Sequence, residues 1–211
     1  MPHINRKSQG NLIVISAPSG AGKTSIRQGL CELMPEIKHS VSFTTRPLRQ
    51  GEVDGMDYSF ISREEFMKMV DAGDFLEWAK VHGNLYGTSR KRIHETRAQG
   101  FDMILDIDVQ GAKQVKKVVP DTVFVFILPP SLSELRQRLS FRNSDPEEVI
   151  NMRLSKAAAE IVEYINYDYV IVNDDLKRAI GELVSIVKAE RARVSQINED
   201  WIKENFIRGT L

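Results

Sequence analysis

Only one cysteine, Cys31, occurs in the 211 residues, so no intrachain disulfide can form. A reducing compartment, the cytoplasm, therefore suits the chain. The thiol reads as a small hydrophobe on a helix rather than as a nucleophile. Charge of either sign is not in excess: 29 Lys and Arg balance 29 Asp and Glu. That balance speaks against a general nucleic-acid binder, which is usually basic, and any anion site must come from local clustering of cations. No apolar run approaches the ~18 residues of a membrane span. Residues 1–10 lack the apolar stretch of a signal peptide and read as a frayed terminus. The four histidines, His3, His39, His82 and His94, show no metal-ligand spacing with one another or with Cys31. Internal repeats and low-complexity tracts are also absent. What remains is a chain large enough to bury roughly 70% of its unfolded surface in one core with insertions.

Residues 12–24, Leu-Ile-Val-Ile-Ser-Ala-Pro-Ser-Gly-Ala-Gly-Lys-Thr, carry the strongest signal. Leu12–Ile15 reads as a short buried strand, the turn after it is rich in Ser, Gly and Pro, and Thr24–Met34 reads as a helix. Strand, glycine-rich turn, Gly-Lys-Thr and helix form the context of a phosphate-binding P-loop. Backbone N–H groups at the helix start face an anion, and the helix dipole favours negative charge there. The expected ATP-binding loop is Ala17, Pro18, Ser19, Gly20, Ala21, Gly22, Lys23, Thr24 and Ser25. Lys23 can reach β- and γ-phosphate oxygens, and the Thr24 hydroxyl can sit on Mg²⁺. Ala17 stands where the usual pattern has its first glycine, so the turn must begin in an ordinary backbone conformation. The bland alternative is a turn that binds nothing.

Further along, Val41 and Phe43 alternate with polar residues as in a short strand, and the following loop, broken by Pro47 and Gly51, carries Arg46 and Arg49. Two guanidinium forks on one loop suit a phosphate monoester, although a solvated basic loop would look the same. Tyr58–Ile61 reads as a strand, and Ser62-Arg-Glu-Glu65 as the capping box of a helix over Arg63–Ala72 that stops at Gly73. Phe75–Val81 and Leu85–Thr88 read as a hairpin with Glu77 and Tyr86 on its arms. Ser89–Gln99 is helical in pattern. Met103–Asp108 is an apolar run ending in Asp106 and Asp108, which share a face if the strand continues through both. Such a strand delivers carboxylates to the sheet edge where ligands of open α/β sheets collect.

Gln110–Val118 reads as a helix, Val123–Leu128 as a strand, and Ser131 as the cap of a helix bearing Arg138 and Arg142 on one face. A helix over Glu147–Tyr164 carries Arg153, and these arginines form either a lid over phosphates or a solvated face. Tyr169–Asn173 is a last strand, and Leu176–Ile197 a long amphipathic helix with Ile180, Leu183, Val184, Val187 and Val194 along its stripe. Trp201, Ile202, Phe206 and Ile207 either pack on the core, the default, or make a subunit contact, so a homo-oligomer stays open. The alternation predicts an α/β fold: a parallel sheet of about five strands (12–16, one near 41, 103–107, 123–128, 169–173) wrapped by helices. The expected division is a core of 1–40, 89–130 and 161–211, a subdomain of 41–88 and a lid of 131–160.

Taken together, Ser-Ala-Pro-Ser-Gly-Ala-Gly-Lys-Thr, Ser42-Phe-Thr-Thr-Arg46-Pro-Leu-Arg49-Gln-Gly-Glu52, Gly55-Met-Asp-Tyr58, Glu77-Trp, Gly83-Asn-Leu-Tyr86-Gly-Thr88, Leu105-Asp-Ile-Asp-Val-Gln-Gly111 and Ile171-Val-Asn-Asp-Asp175 closely resemble guanylate kinases, the ATP:GMP phosphotransferases of the nucleoside monophosphate kinase group. The resemblance runs from about Asn11 to Arg191 and is that of the bacterial type, in which alanine at the Ala17 position is familiar. It implies that Arg46, Arg49, Tyr58 and Tyr86 hold the GMP phosphate, with Glu52 supporting the arginine loop. Ser42, Glu77 and Thr88 read the guanine, with Asp108 close by. Lys23, Arg138, Arg142 and Arg153 hold the ATP phosphates and the transferred group, and Arg46 joins them among the expected catalytic residues. Asn173 lies near the adenosine, and Asp106 near Mg²⁺ through water. The family commonly has Gly-Arg-Gly in the lid where this chain has Phe141-Arg142-Asn143, which questions the lid's hinge.

The implied substrates are ATP with Mg²⁺, and GMP or dGMP; neither nucleic acid nor membrane is an expected partner. A phosphate monoester is already mostly dianionic at neutral pH, its second pKa being near ~6, so no general base is needed. One carboxylate at Glu77 accepts both guanine donors, N1–H and the 2-amino group, whereas adenine presents an acceptor at N1. Two other readings are a P-loop kinase of a sugar phosphate and a non-enzymatic guanylate-kinase-like module that binds phosphopeptides. Glu77 with Ser42 and Thr88 argues against the first. Lys23-Thr24 and the lid arginines argue against the second.

Overall fold

The computed structural model describes residues 9–81, 83–142 and 146–207, with the backbone alone at 141 and 142. Residues 1–8 of the expected frayed terminus, His3 among them, lie outside these residues, as do His82 and Asn143. Gly10, by contrast, is not frayed: it is buried and its N–H donates to the Arg97 carbonyl at 2.9 Å. The chain order is β1 (Leu12–Ser16), α1 (Lys23–Leu33), β2 (Ile37–His39), β3 (Phe43–Thr44), β4 (Ser59–Phe60), α2 (Arg63–Asp71), β5 (Phe75–Val81), β6 (Asn84–Ser89), α3 (Arg90–Ala98) and β7 (Asp102–Asp106). It continues with α4 (Val109–Val118), β8 (Val123–Leu128), α5 (Leu132–Arg142), α6 (Glu147–Ile161), β9 (Tyr169–Val172), α7 (Leu176–Arg191) and α8 (Glu199–Ile202).

Five strands form a parallel sheet in the order β2-β7-β1-β8-β9. Side chains alternate across β1, and each set finds its own helices. Ile13 and Ile15 pack with Ile26 and Leu30 of α1 and with Leu183 and Val187 of α7. Leu12 and Val14 pack with Ile93 of α3 and with Ala112 and Val115 of α4. A sheet buried on both faces requires the near-continuous apolar strands seen in the sequence. The chain adds β2 and β7 on one side of β1 and then β8 and β9 on the other, so the loop after β1 opens at the switch point where α/β sheets take ligands.

A second sheet, β4-β3-β6-β5, has a core of Phe66, Phe75 and Leu85. Ser62 caps α2 as expected: its hydroxyl accepts from Glu65 N–H while the Glu65 carboxylate accepts from Ser62 N–H. Helices α5 and α6 pack on each other through Leu135, Leu139 and Ala157.

The structure corrects several expected boundaries. The core strand placed near 41 is Ile37–His39, and Phe43–Thr44 belongs to the second sheet. Strand β7 ends at Asp106, so Asp106 and Asp108 do not share a strand face; Asp108 instead caps α4. Helix α6 ends at Ile161 and tightens into a 3₁₀ turn over Val162–Asn166. The long last helix stops at Arg191, and Val194, expected on its apolar stripe, is 89% exposed. Trp201 meets Phe206 edge-on, but Phe206 and Ile207 are 61% and 57% exposed rather than packed in the core. Among the described residues no helix is long and apolar enough to cross a membrane.

Candidate active site

A cavity of about 360 Å³ opens between the β1–α1 loop, the second sheet and α6. Its wall includes the loop residues Ala17, Pro18, Ser19, Gly20, Gly22, Lys23, Thr24 and Ser25. Across from them stand Ser42, Tyr58, Glu77 and Tyr86, with Asp106 and Asp108 at the floor and Lys156 and Glu160 above.

The loop has the shape its glycines allow. Gly20 and Gly22 adopt φ of 92° and 93°, a region L-residues avoid. Gly22 is the N-cap of α1 and supplies no side-chain bond, so the first N–H groups of the helix stay available to an anion. Ala17, in the first glycine's place, packs against the apolar core. Asn173, buried at the end of β9, braces the loop: its Nδ2 donates to the Ala21 carbonyl at 2.7 Å. Arg138 reaches the same junction from α5, donating to the Asn173 carbonyl at 3.0 Å and to Glu134 at 3.1 Å.

At the floor, Lys23 Nζ lies 2.7 Å from Asp106 Oδ1 and donates to the Ile107 carbonyl at 2.8 Å. Burial would raise the Asp106 carboxyl, but Lys23 and Arg27 outweigh it and hold the group below its usual range. Asp108 Oδ1 accepts from Gln110 and Gly111 N–H, an N-cap that fixes the start of α4. Burial, helped by Arg27, lowers nearby His39 to about 4, so this imidazole is neutral.

The opposite wall is built by the hairpin β5–β6. A register shift between Phe75 and Glu77 re-aims the strand, so Phe75, Leu76 and Glu77 all become buried. Glu77 is 4% exposed, and its Oε1 accepts from Thr88 Oγ1 at 2.6 Å. Burial pushes its carboxyl up to about 7 despite that bond. Tyr58 and Tyr86 meet edge-on with ring centroids 5.8 Å apart.

Arg46 is buried and held by Glu52 in a two-pronged pair, Nη1 to Oε2 at 3.0 Å and Nη2 to Oε1 at 2.6 Å. Glu52 also accepts from Arg49 N–H at 2.9 Å, which closes the loop and leaves the Arg49 side chain exposed. Arg46, Thr88 and Asn173 thus stand one layer behind the cavity wall. Arg153 is half-buried on α6, and the Arg142 side chain lies outside the described residues. Two charged residues of the wall, Lys156 and Glu160, and Arg27, which stands behind the floor beside Asp106, escaped the sequence reading. Arg27 looks like any polar helix position, whereas Lys156 and Glu160 continue the face of Arg153 at spacings of three and four, which could have revealed them.

A Thr hydroxyl and an ionised Asp in one cavity fit a magnesium ion held mainly by phosphate and water. Among the described residues no group of three or more His, Cys, Asp or Glu side chains forms a protein cage for a metal.

The guanylate kinase family model matches residues 9–190. The chain belongs to the guanylate kinase family. It is 55% identical to the guanylate kinase of Syntrophotalea carbinolica over 92% of both chains. It is 53% identical to that of Geobacter metallireducens over 96% of this chain and 100% of the relative. Among solved structures, guanylate kinase from Anaplasma phagocytophilum superposes with a TM-score of 0.79 at 35% identity, covering 95% of this chain and 97% of that one. This family membership accounts for a phosphate-binding loop and a buried carboxylate facing each other across one cavity.

Proposed function

We infer that this guanylate kinase family member catalyses transfer of the γ-phosphoryl group of ATP to GMP, giving GDP and ADP. The observation that carries the reading is the position of Glu77, a buried carboxylate on the same cavity as the P-loop. Guanine satisfies such a group with N1–H and the 2-amino group; adenine leaves it facing an acceptor, and an unmade buried bond discriminates on the order of 10⁴. Thr88 holds one carboxylate oxygen, and Ser42 lines the same wall.

A phosphate oxygen of GMP attacks the γ-phosphorus as the bond to the β–γ bridging oxygen breaks, and ADP carries away that oxygen. The chain's part is positioning and charge. The start of α1 and Lys23 receive the ATP phosphates. Arg46, Arg49, Tyr58 and Tyr86 receive the GMP phosphate, with Glu52 pre-setting the loop. Arg138, Arg142 and Arg153 come from the two lid helices to the transferred group. Asn173 braces the loop beside the adenosine. Magnesium bound with ATP would be held by Thr24 and, through water, by Asp106, and would neutralise charge on the β- and γ-oxygens. None of the proposed contacts needs the ribose 2′-hydroxyl, so dGMP serves as well as GMP. We place the reaction in the cytoplasm, where the lone thiol stays reduced, with nucleotides rather than nucleic acid or membrane as partners.

A coupled assay with Mg-ATP tests this against GMP, dGMP, AMP, UMP and ribose phosphates, with Lys23→Ala as control. Turnover of GMP and dGMP alone, lost in Lys23→Ala, is the expected result. Turnover of a ribose phosphate in preference to GMP would overturn the base-reading role of Glu77. Absence of GDP with GMP still bound would overturn the kinase itself.

A further inference from the structure

Asp106 sits between two cations. Lys23 Nζ stands 2.7 Å from Oδ1, and Arg27 Nε stands 3.5 Å from Oδ2. The two are four residues apart on α1 and so project from one face. The Arg27 Nε atom is buried and donates no hydrogen bond, although the carboxylate lies just beyond reach. A buried donor left in this state is uncommon and asks for an explanation.

Two of the three Lys23 ammonium donors are committed at the floor of the cavity, so an ammonium that turns to several phosphate oxygens must give up those contacts. Its contacts with Asp106 and the Ile107 carbonyl hold it at the end of β7. The reaction needs the same ammonium on phosphate oxygens. If it turned away with nothing in its place, Asp106, with a side chain only 16% exposed, would lose its nearest cation. A largely buried carboxylate stripped of its partner is strongly disfavoured, and that penalty would be charged against ATP binding. Among the described residues the only other cation paired with Asp106 is Arg27.

We propose that Arg27 is a positioning residue for the nucleotide. As Lys23 moves to the phosphates, Arg27 closes on Asp106 and engages its unused Nε–H, so the carboxylate changes partner without losing its charge or its aim. The loose 3.5 Å pair is the waiting state of that exchange. The proposal rests on the phosphate role given to Lys23 above, and the two fail separately. Lys23→Ala that binds ADP as tightly as the parent protein would remove the lysine's role. The Arg27 variants test the exchange itself.

The experiment is equilibrium binding of ADP and, separately, of GMP, by calorimetry in EDTA, so that neither turnover nor metal enters. Arg27→Met should weaken ADP binding about tenfold, a change of about 1.4 kcal/mol, while GMP binding stays within about twofold. Arg27→Lys restores a cation and should remain within about threefold of the parent for ADP. Unchanged ADP affinity in Arg27→Met would overturn the proposal, as would an equal loss for ADP and GMP, or an Arg27→Lys variant as weak as Arg27→Met. Should Arg27→Met not fold, Arg27→Gln against Arg27→Lys is read on the same criteria.

Discussion

At the scale of single residues, Glu77 shows how burial sets both specificity and pH response. Its carboxyl is pushed up to about 7 because desolvation exceeds the help from Thr88. In the role proposed for Glu77, guanine with its two donors binds the ionised form. GMP binding therefore strengthens as pH rises through the folded value and weakens as the group protonates below it. The ionised fraction of Glu77 grows about tenfold between pH 6 and 8 and the dianionic fraction of GMP about twofold, so kcat/KM for GMP should rise about twentyfold. In Glu77→Gln only the titration of the GMP phosphate near ~6 remains, so the same interval should give about twofold. The variant should also lose about 10- to 100-fold in kcat/KM at pH 8, the worth of charge-assisted bonds. A pH profile of both proteins checks this, and a Glu77→Gln profile as steep as the parent's would assign the dependence elsewhere. For folding the sign is opposite: a carboxyl raised above its ordinary value of 4.5 destabilises the folded state progressively as pH climbs through 4.5 toward about 7, so the protein without substrate gains stability on acidification across that window.

At the scale of elements, the guanine wall depends on two segments meeting closely, β5 and the start of α4. A Cβ built on Gly111 would lie 2.4 Å from Glu77 Oε2. Gly111→Ala should therefore displace the carboxylate and raise KM for GMP several-fold, with KM for ATP unchanged; steady-state kinetics in both substrates reads the split. The loop side has its own brace. Asn173→Ala removes a buried bond to the Ala21 carbonyl, of about 1–3 kcal/mol, and should raise KM for ATP rather than for GMP. The resemblance alone puts Asn173 near the adenosine, but neither its bond to the Ala21 carbonyl nor the approach of Gly111 to Glu77 is legible in the sequence, where each partner lies far along the chain. Signals confined to one segment read well: the P-loop, the Ser62–Glu65 cap, and the apolar strands β1, β7 and β8. Strand β2, only three residues long and starting two after Pro35, is too short to show a period, and the alternation that stands in for it belongs to a segment that pairs in the other sheet. Glu77 and Tyr86 were found on the right hairpin, yet the register shift that aims Glu77 inward has no local sequence mark. Asp106 and Asp108 were found together, but the end of β7 between them gives one to the loop lysine and the other to a helix cap.

At the scale of the whole molecule, nucleotide chemistry and structural anchoring occupy opposite edges of one sheet. Strand β7 carries Asp106 to the cavity at one end and Asp102 to the far edge at the other, a rise of about 13 Å. Asp102 Oδ1 accepts from Asn11 N–H at 2.7 Å, and Oδ2 accepts from Arg191 Nε at 2.5 Å. Arg191 also reaches Glu36 at 2.6 Å, so one guanidinium ties the end of α7 to the start of β7 and to the segment leading into β2. Its side chain is 13% exposed and that of Asp102 7%, so removing the cation leaves a buried carboxylate without its ionic partner. Arg191→Met should destabilise the protein by about 3 kcal/mol, a fall in Tm of about 6–12 °C for a chain of this size. Both KM values should stay unchanged, because neither Arg191 nor its partners line the cavity. Thermal unfolding with kinetics at a temperature where the variant is still folded separates the two effects. A variant that lost ATP or GMP affinity in step with its Tm would show that the sheet transmits strain along its length. One that lost Tm alone would show that the parallel core isolates the site from its own anchor, leaving the cavity edge free to open and close around substrates.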